Sequence, residues 1–359
     1  MAGKETRLTL WALDPELSLE NVITLLKLNY SKTIDYLSNR NDIPRYDRTL
    51  VNSWKPFSDD EEEFKIQTYT ILGQEIKCIP TKSFIETSAP EGEVIYNDYV
   101  IPRSKRIHQN IQNVFFFESF GRVFVIVEGP EYKIRSIRSV LMGAGRKADE
   151  AHKEWKKVQF KDIPNYSFSS DFFYWLISKE NQEVSSCNEE RCCEKEECDS
   201  LLKISISDIR NLSQSVDRKD ITHESTGKNL LDEAVPKTGL GINTTVGQVG
   251  TTLITSEGTI RFHLLANGEA IINNYESGLN GTNGEVIPFY LNLDLGSLML
   301  YAVLLPELKK QFNIEKNGPE WTIEHQALAR KSWALGAINE LCAENEIDID
   351  EIEALDWFK

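Results

Sequence analysis

Positive charge is scarce in this chain, and where it gathers it could hold phosphate. The 359 residues carry 40 Lys and Arg against 56 Asp and Glu, a formal charge of −16. Positions 103 to 157 reverse that balance, with twelve bases against six acids. Arg and Lys neutralise phosphodiester oxygens, and they must do so from surfaces that face away from a core. Arg103, Lys105, Arg106, Lys133, Arg135, Arg138, Arg146 and Lys147 are therefore candidate contacts to DNA or RNA. The plainer alternative is a positive face that balances acids elsewhere in the chain or on a partner subunit. The overall acidity argues against a general polyanion binder, although screening within about 8–10 Å lets a local basic face act on its own.

Other chemistry-bearing groups are less well arranged. Cys187, Cys192, Cys193 and Cys198 follow the spacing C-x4-C-C-x4-C. Tetrahedral zinc is most readily supplied by C-x2-C knuckles, which are absent, and adjacent Cys192 and Cys193 cannot easily share one ion. A thiol-bearing acidic insertion is the better reading, and no metal or other cofactor is expected. Two E-x-K triplets, Glu131-Tyr132-Lys133 and Glu75-Ile76-Lys77, are a minimal start for magnesium-dependent phosphodiester cleavage. With 27% charged residues such triplets arise readily, so a metal nuclease or phosphodiesterase stands as the alternative. There is no G-x-S-x-G, and His108, His152, His223, His263 and His325 stand in unrelated contexts. Gly239, Gly241, Gly247 and Gly250 fit neither the P-loop nor the dinucleotide fingerprint. No catalytic residue can be named.

The elements that must carry the basic residues have clear periodicities. Residues 114–118 and 122–128 form a hydrophobic hairpin around 119–121, followed by a helix at 131–142 with Ile134, Ile137, Val140 and Leu141 inward. A first strand spans 6–13, and a helix capped by Ser18 places Leu19, Val22, Ile23, Leu26, Tyr30, Ile34 and Leu37 on one face before residues 39–41 and Pro44 end it. Residues 64–72 and 75–79 read as strands joined at Gly73, and 171–179 as a deeply buried helix rich in aromatics. Further on, Asn267-Gly268 between two strand-like runs favours a type I′ turn. Pro306 kinks a helix at 295–312, and a last helix at 322–345 aligns Leu328, Leu335, Ile338 and Cys342.

Strands grouped in hairpins, not alternating singly with helices, point to an α+β protein with mainly antiparallel sheets. Its length implies two domains. The expected division is 1–210, with a Cys-rich acidic insertion at about 181–200, then a linker at 211–237 and a second domain at 238–359. Glu5 and Asp14 interrupt any secretory core at the start, and no apolar run approaches the roughly 20 residues of a membrane span. A cytoplasmic protein without membrane contact is expected. In the acidic tail, Leu355, Trp357 and Phe358 could dock on a partner or a second copy, or fold back on the last helix. The reading as a whole is a binding or regulatory protein that self-assembles or pairs with a partner and contacts nucleic acid through the basic stretch. A place in a bacterial anti-phage system is a third expectation, resting on a general prior and on no residue.

Overall fold

The computed structural model describes residues 4–97, 99–144, 150–185, 202–216, 221–281 and 283–348. Its chain divides into two compact units, Thr6–Ile163 and Pro164–Lys359, the latter joined by Met1–Glu5. Both combine antiparallel sheet with helices, so the fold is α+β.

The N-terminal unit is built on strands β1 (Glu5–Ala12), β2 (Ser53–Pro56), β3 (Gln67–Ile71), β4 (Gln74–Ser88), β5 (Ile107–Ser119) and β6 (Arg122–Glu128). They are ordered β1-β6-β5-β4-β2, with β3 also paired to β4, and every pairing is antiparallel. The β5–β6 hairpin turns at Phe120 (φ 50°) and Gly121 (φ 69°). Positive φ at both central residues is what a type I′ turn requires, and its twist matches that of the strands. Leu72 and Gly73 repeat the device between β3 and β4, at φ 50° and 76°.

Val114–Phe117 and Val123–Val127 are buried on both faces of the sheet. On one face Val114, Phe116, Val123, Val125 and Val127 meet two helices, α1 (Leu19–Leu26) and α2 (Glu131–Val140). Ser18 caps α1 as expected, in a reciprocal pair with Asn21. The helix ends at Leu26, however, and does not run on to Leu37: Lys32–Thr33 is extended and Asp35–Leu37 a 3-10 turn, so Tyr30, Ile34 and Leu37 are buried from outside the helix. Helix α2 inserts Ile134 and Ile137, followed by Leu141 just beyond its end. Trp155 completes this core, its ring stacked on Phe116 at a centroid distance of 6.0 Å. Its Nε1–H donates to the Tyr30 hydroxyl at 2.8 Å, which in turn donates to the Leu25 carbonyl at 2.8 Å.

The C-terminal unit holds β7 (Gln182–Ser185), β8 (Lys203–Val216), β9 (Ile221–Thr226), β10 (Thr245–Thr255), β11 (Gly258–Leu265), β12 (Ala270–Asn273), β13 (Gly278–Asn280) and β14 (Val286–Pro288). The order is β7-β8-β10-β11-β12, with β9 on β8, β13 on β11 and β14 on β13. Helix α3 (Ser170–Ser178) lies deep in this unit, every residue from Phe172 to Ile177 being buried. Helix α4 (Ala234–Gly241) precedes β10, and α5 (Leu293–Leu298), α6 (Leu305–Asn317) and α7 (Ile323–Glu344) end the described chain. Between α5 and α6 the backbone widens to a π-helix over Met299–Leu304. Pro306 stands at the start of α6, and the carbonyl four residues back, which its ring crowds, falls in that π-helical stretch.

The division of the chain differs from the expected one. The break lies between Ile163 and Pro164, not near 210, and the presumed linker at 211–237 is occupied by the second half of β8, by β9 and by the start of α4. Irregularities in the β8–β10 ladder near Asp208 and Arg210 explain the misreading. Each bulge inserts one residue, so the inward series Ile204, Ile206, Ile209, Leu212 loses its period of two: residues 201–209 still read as a strand, but their continuation over 211–216 does not. The turn at Asn267-Gly268 is also not type I′. Only Gly268 has positive φ, at 83°, its N–H bonds the Leu265 carbonyl, and Leu265 pairs with Glu269 around a three-residue loop. The four clustered cysteines, Arg146, Lys147, Leu355, Trp357 and Phe358 lie outside the described residues. No described helix is long and apolar enough to cross a membrane.

Replacing Tyr30 by Phe removes the only hydroxyl between Trp155 and Leu25 while keeping the ring. A buried N–H left without its acceptor costs about 1–3 kcal/mol. Urea denaturation of Tyr30→Phe should show a loss of that order, and an unchanged midpoint would contradict this account of the core.

Candidate functional site

The candidate bases separate into two groups according to what the fold asks of them. Arg103 and Arg106, in a short turn of helix at Arg103–Arg106, point inward. The Arg103 guanidinium donates to the carbonyls of Tyr46 and Thr49 at 2.9 and 2.7 Å and to the Glu86 carboxylate, and lies over the Tyr46 ring. Glu86 is buried and also accepts from the Val51 N–H at 2.7 Å. Arg106 is 1% exposed, with Nε donating to the Ile101 carbonyl at 3.1 Å and a terminal nitrogen to that of Asp47. A guanidinium at that depth cannot reach a phosphate. Both arginines stitch loops to the sheet, which corrects their place among the candidate contacts. Lys105 between them is exposed.

The second group stays on the surface. With Ile134 and Ile137 in the core, α2 turns Lys133, Arg135 and Arg138 away from it. Arg135 Nε donates to Glu131 at 3.1 Å, and an Arg138 nitrogen lies 3.7 Å from the same carboxylate. The exposed i,i+4 pair of Arg135 with Glu131 holds by only about 0.3–0.5 kcal/mol, so Arg135 can exchange it for another anion, whereas Arg138, seven residues from Glu131, is only 21% exposed. Arg138 also lies over the Phe160 ring at 5.5 Å, and the His152 ring nitrogen Nε2 is 2.8 Å from the Val140 carbonyl. These two contacts bring the segment 150–161 against the end of α2. It contributes the exposed Lys153, Lys157 and Lys161, and also Lys156, which is held by Glu16 at 2.6 Å. Lys161 and Phe160 were not among the sequence candidates. The signal that could have found them is an aromatic beside a base just past the stretch that was counted.

Charge divides along the same lines. The N-terminal unit has 23 Lys and Arg against 23 Asp and Glu, and its residues 103–163 have 13 against 7. The C-terminal unit has 17 against 33, so it carries the whole net charge of −16.

Two pockets among the described residues are further candidates. One, of about 490 Å3, lies in the N-terminal unit between the β5–β6 turn and the loop before α1. Glu75 and Lys77 on β4 face it with Glu16, Glu118, Ser119 and Arg122. The strand-borne E-x-K triplet thus meets acids from other elements, yet among the described residues no three His, Cys, Asp or Glu converge tightly enough to hold a metal ion. The triplet at Glu131 does not converge either, since that carboxylate serves Arg135 and Arg138. The other pocket, of about 290 Å3, lies in the C-terminal unit, where Ser170, Asp171, Tyr174, Asn243, Trp321 and Arg330 line it. Asp171 is already engaged by Lys316 at 2.5 Å and by Trp321 Nε1 at 3.1 Å. His263 on β11 lies apart from both linings, and burial holds its pKa below the usual value. Compared with known proteins, the chain matches no family model and no curated protein.

Glu128 closes β6 just ahead of the basic helix. Burial raises its pKa, against the opposing pull of the Asn113 amide, whose nitrogen donates at 2.6 Å, and of Lys133. A carboxyl whose pKa is raised by folding contributes stability below its ordinary value of 4.5, and that contribution is lost as pH climbs through the folded value. Glu128→Gln keeps the shape and the amide contact without the charge. The variant should be more stable than the parent at neutral pH and converge with it below pH 4.5 in urea titrations; a gap of constant size across that range would refute the assignment.

Proposed function

We propose that the protein works by binding, as a cytoplasmic regulatory or interaction component that contacts nucleic acid through α2 and the segment at 150–161. The observation that carries this reading is the segregation of charge. A chain with sixteen surplus acids keeps one of its two units neutral and gathers bases within that unit on a helix face the core does not use.

The chemistry is that of backbone contact. Arg135, Arg138 and the neighbouring lysines offer donors to phosphate oxygens, and the half-buried Phe160 ring lies beneath the Arg138 guanidinium. Such contacts position a strand without reading its sequence, so weak discrimination between sequences is expected. The acidic C-terminal unit opposes indiscriminate binding, because repulsion extends over a Debye length while the basic face acts at contact.

Fluorescence anisotropy with labelled single-stranded DNA, duplex DNA and RNA tests this directly. About four phosphate contacts imply a loss of affinity near 100-fold between 50 and 200 mM salt. The double variant Arg135→Glu and Arg138→Glu should weaken binding by at least about tenfold and flatten that salt dependence. Absence of binding to all three probes at low salt would overturn the proposal.

A further inference from the structure

Among the described residues of the C-terminal unit, Arg330 on α7 is the one half-buried base that the fold leaves without a partner. Acids are plentiful there, since the unit holds the whole surplus of sixteen. Lys179 is held by Glu315 at 2.8 Å, Lys237 by Glu340 at 3.2 Å, and Arg210 and Arg261 both by Glu276. Lys309 donates to the carbonyls of Pro164 and Ser167. Arg330 has no such hydrogen bond or ion pair among the described residues. Its own helix supplies no acid, because Gln326, Ala327, Trp333 and Ala334 stand three and four residues away. A guanidinium partly withdrawn from water and left unpaired costs the fold stability. Departures of this kind gather at functional sites.

What Arg330 does have beside it is a cavity. It lines the pocket of about 290 Å3 together with Ser170, Tyr174, Asn243 and Trp321. The Tyr174 hydroxyl donates to the Leu240 and Thr244 carbonyls at 3.3 and 3.0 Å. Burial raises the Tyr174 pKa and Arg330 pulls it the other way, so the positive charge is felt at that end of the pocket. Ser170 Oγ accepts the Val246 N–H at 2.9 Å and keeps its own proton to donate. The Asn243 carboxamide has no hydrogen bond among the described residues. The one acid in the lining, Asp171, is already matched, with Lys316 at 2.5 Å from one oxygen and Trp321 Nε1 donating to the other at 3.1 Å. The pocket therefore combines one unpaired positive charge, two uncommitted neutral donors and two buried aromatic walls.

We propose that this pocket binds a small monocarboxylate, its two oxygens on the Arg330 fork and its body against Tyr174 and Trp321. A guanidinium matches a carboxylate through two parallel N–H···O bonds, and Ser170 and Asn243 each add a single donor. Charge decides against phosphate. A phosphoryl group carries about −1.5 to −2 at neutral pH, more than one guanidinium can match inside a unit that already repels anions. Volume decides against larger ligands, because about 290 Å3 lies at the lower edge of the roughly 300–1,000 Å3 that small-molecule sites span. Every residue of the site belongs to the C-terminal unit, and the proposal does not rest on nucleic-acid binding.

Isothermal titration calorimetry of the full chain with acetate, lactate and benzoate, at fixed ionic strength, tests it. At least one of them should bind with a Kd of about 1 mM or tighter. Its neutral amide (acetamide, lactamide or benzamide) has nearly the same shape and should bind at least about tenfold more weakly. Arg330→Gln should weaken the carboxylate by at least about tenfold as well. Without ligand, the same variant should melt at the parent's temperature or above it, because no partner in the fold is lost. A parent that binds none of the three acids, amides that bind as tightly as the acids, or binding that survives Arg330→Gln would each overturn the proposal. So would inorganic phosphate bound more tightly than any of the carboxylates. A lowered melting temperature of unliganded Arg330→Gln would overturn it too, since the guanidinium would then serve the fold.

Discussion

The β5–β6 hairpin imposes the constraint from which the rest of the N-terminal unit follows. From Val114 to Phe117 and from Val123 to Val127 every side chain is buried, whichever face of the sheet it leaves. Such strands are stable only if elements are laid over them, and α1, α2 and Trp155 are the covering on one side. Helix α2 is thus fixed in place by Ile134, Ile137 and Leu141, and the direction of its remaining side chains is no longer free. The basic face is a by-product of that packing. Its charges stand where they do because the opposite side of a ten-residue helix is committed to the sheet.

Sequence periodicity revealed this part of the molecule well. The hairpin, its turn, the Ser18 cap and the inward residues of α2 all follow from local rules that packing does not override. What escaped was non-local. The bulges of β8 depend on its pairing with β10, and they turned the second half of a fourteen-residue strand into an apparent linker. Neither could spacing say that Arg106 would bury its charge on backbone carbonyls while Lys105 beside it stayed in water. A basic residue in sequence has a sign but no address.

The same limit applied to α7 in reverse. Leu328, Leu335, Ile338 and Cys342 do form a stripe, as their spacing requires, but a stripe tells only that one side of a helix is apolar. The other side proved able to pack through Ala334, Ala337 and the close approach to Gly241, where small side chains let backbones come near. Tight contact through small residues leaves Leu328, Leu335 and Ile338 exposed, while Cys342 is buried. The basic surface of α2 is likewise the unused face of a helix whose other face is anchored.

The place of the first residues has a consequence for how the chain is made. Strand β1 pairs with β6, so Leu8 finds its neighbour only at Glu128, and the Lys4 carbonyl accepts a hydrogen bond from the Asn274 N–H. A nascent chain leaves the ribosome in order, and β1 must wait for more than a hundred further residues before β6 can pair with it. During that interval Leu8, Leu10 and Trp11 are unshielded, in a cell crowded with other unfinished chains. Strand β1 is made well before β6 can pair with it, so the cost of this long-range pairing falls on the interval between the two.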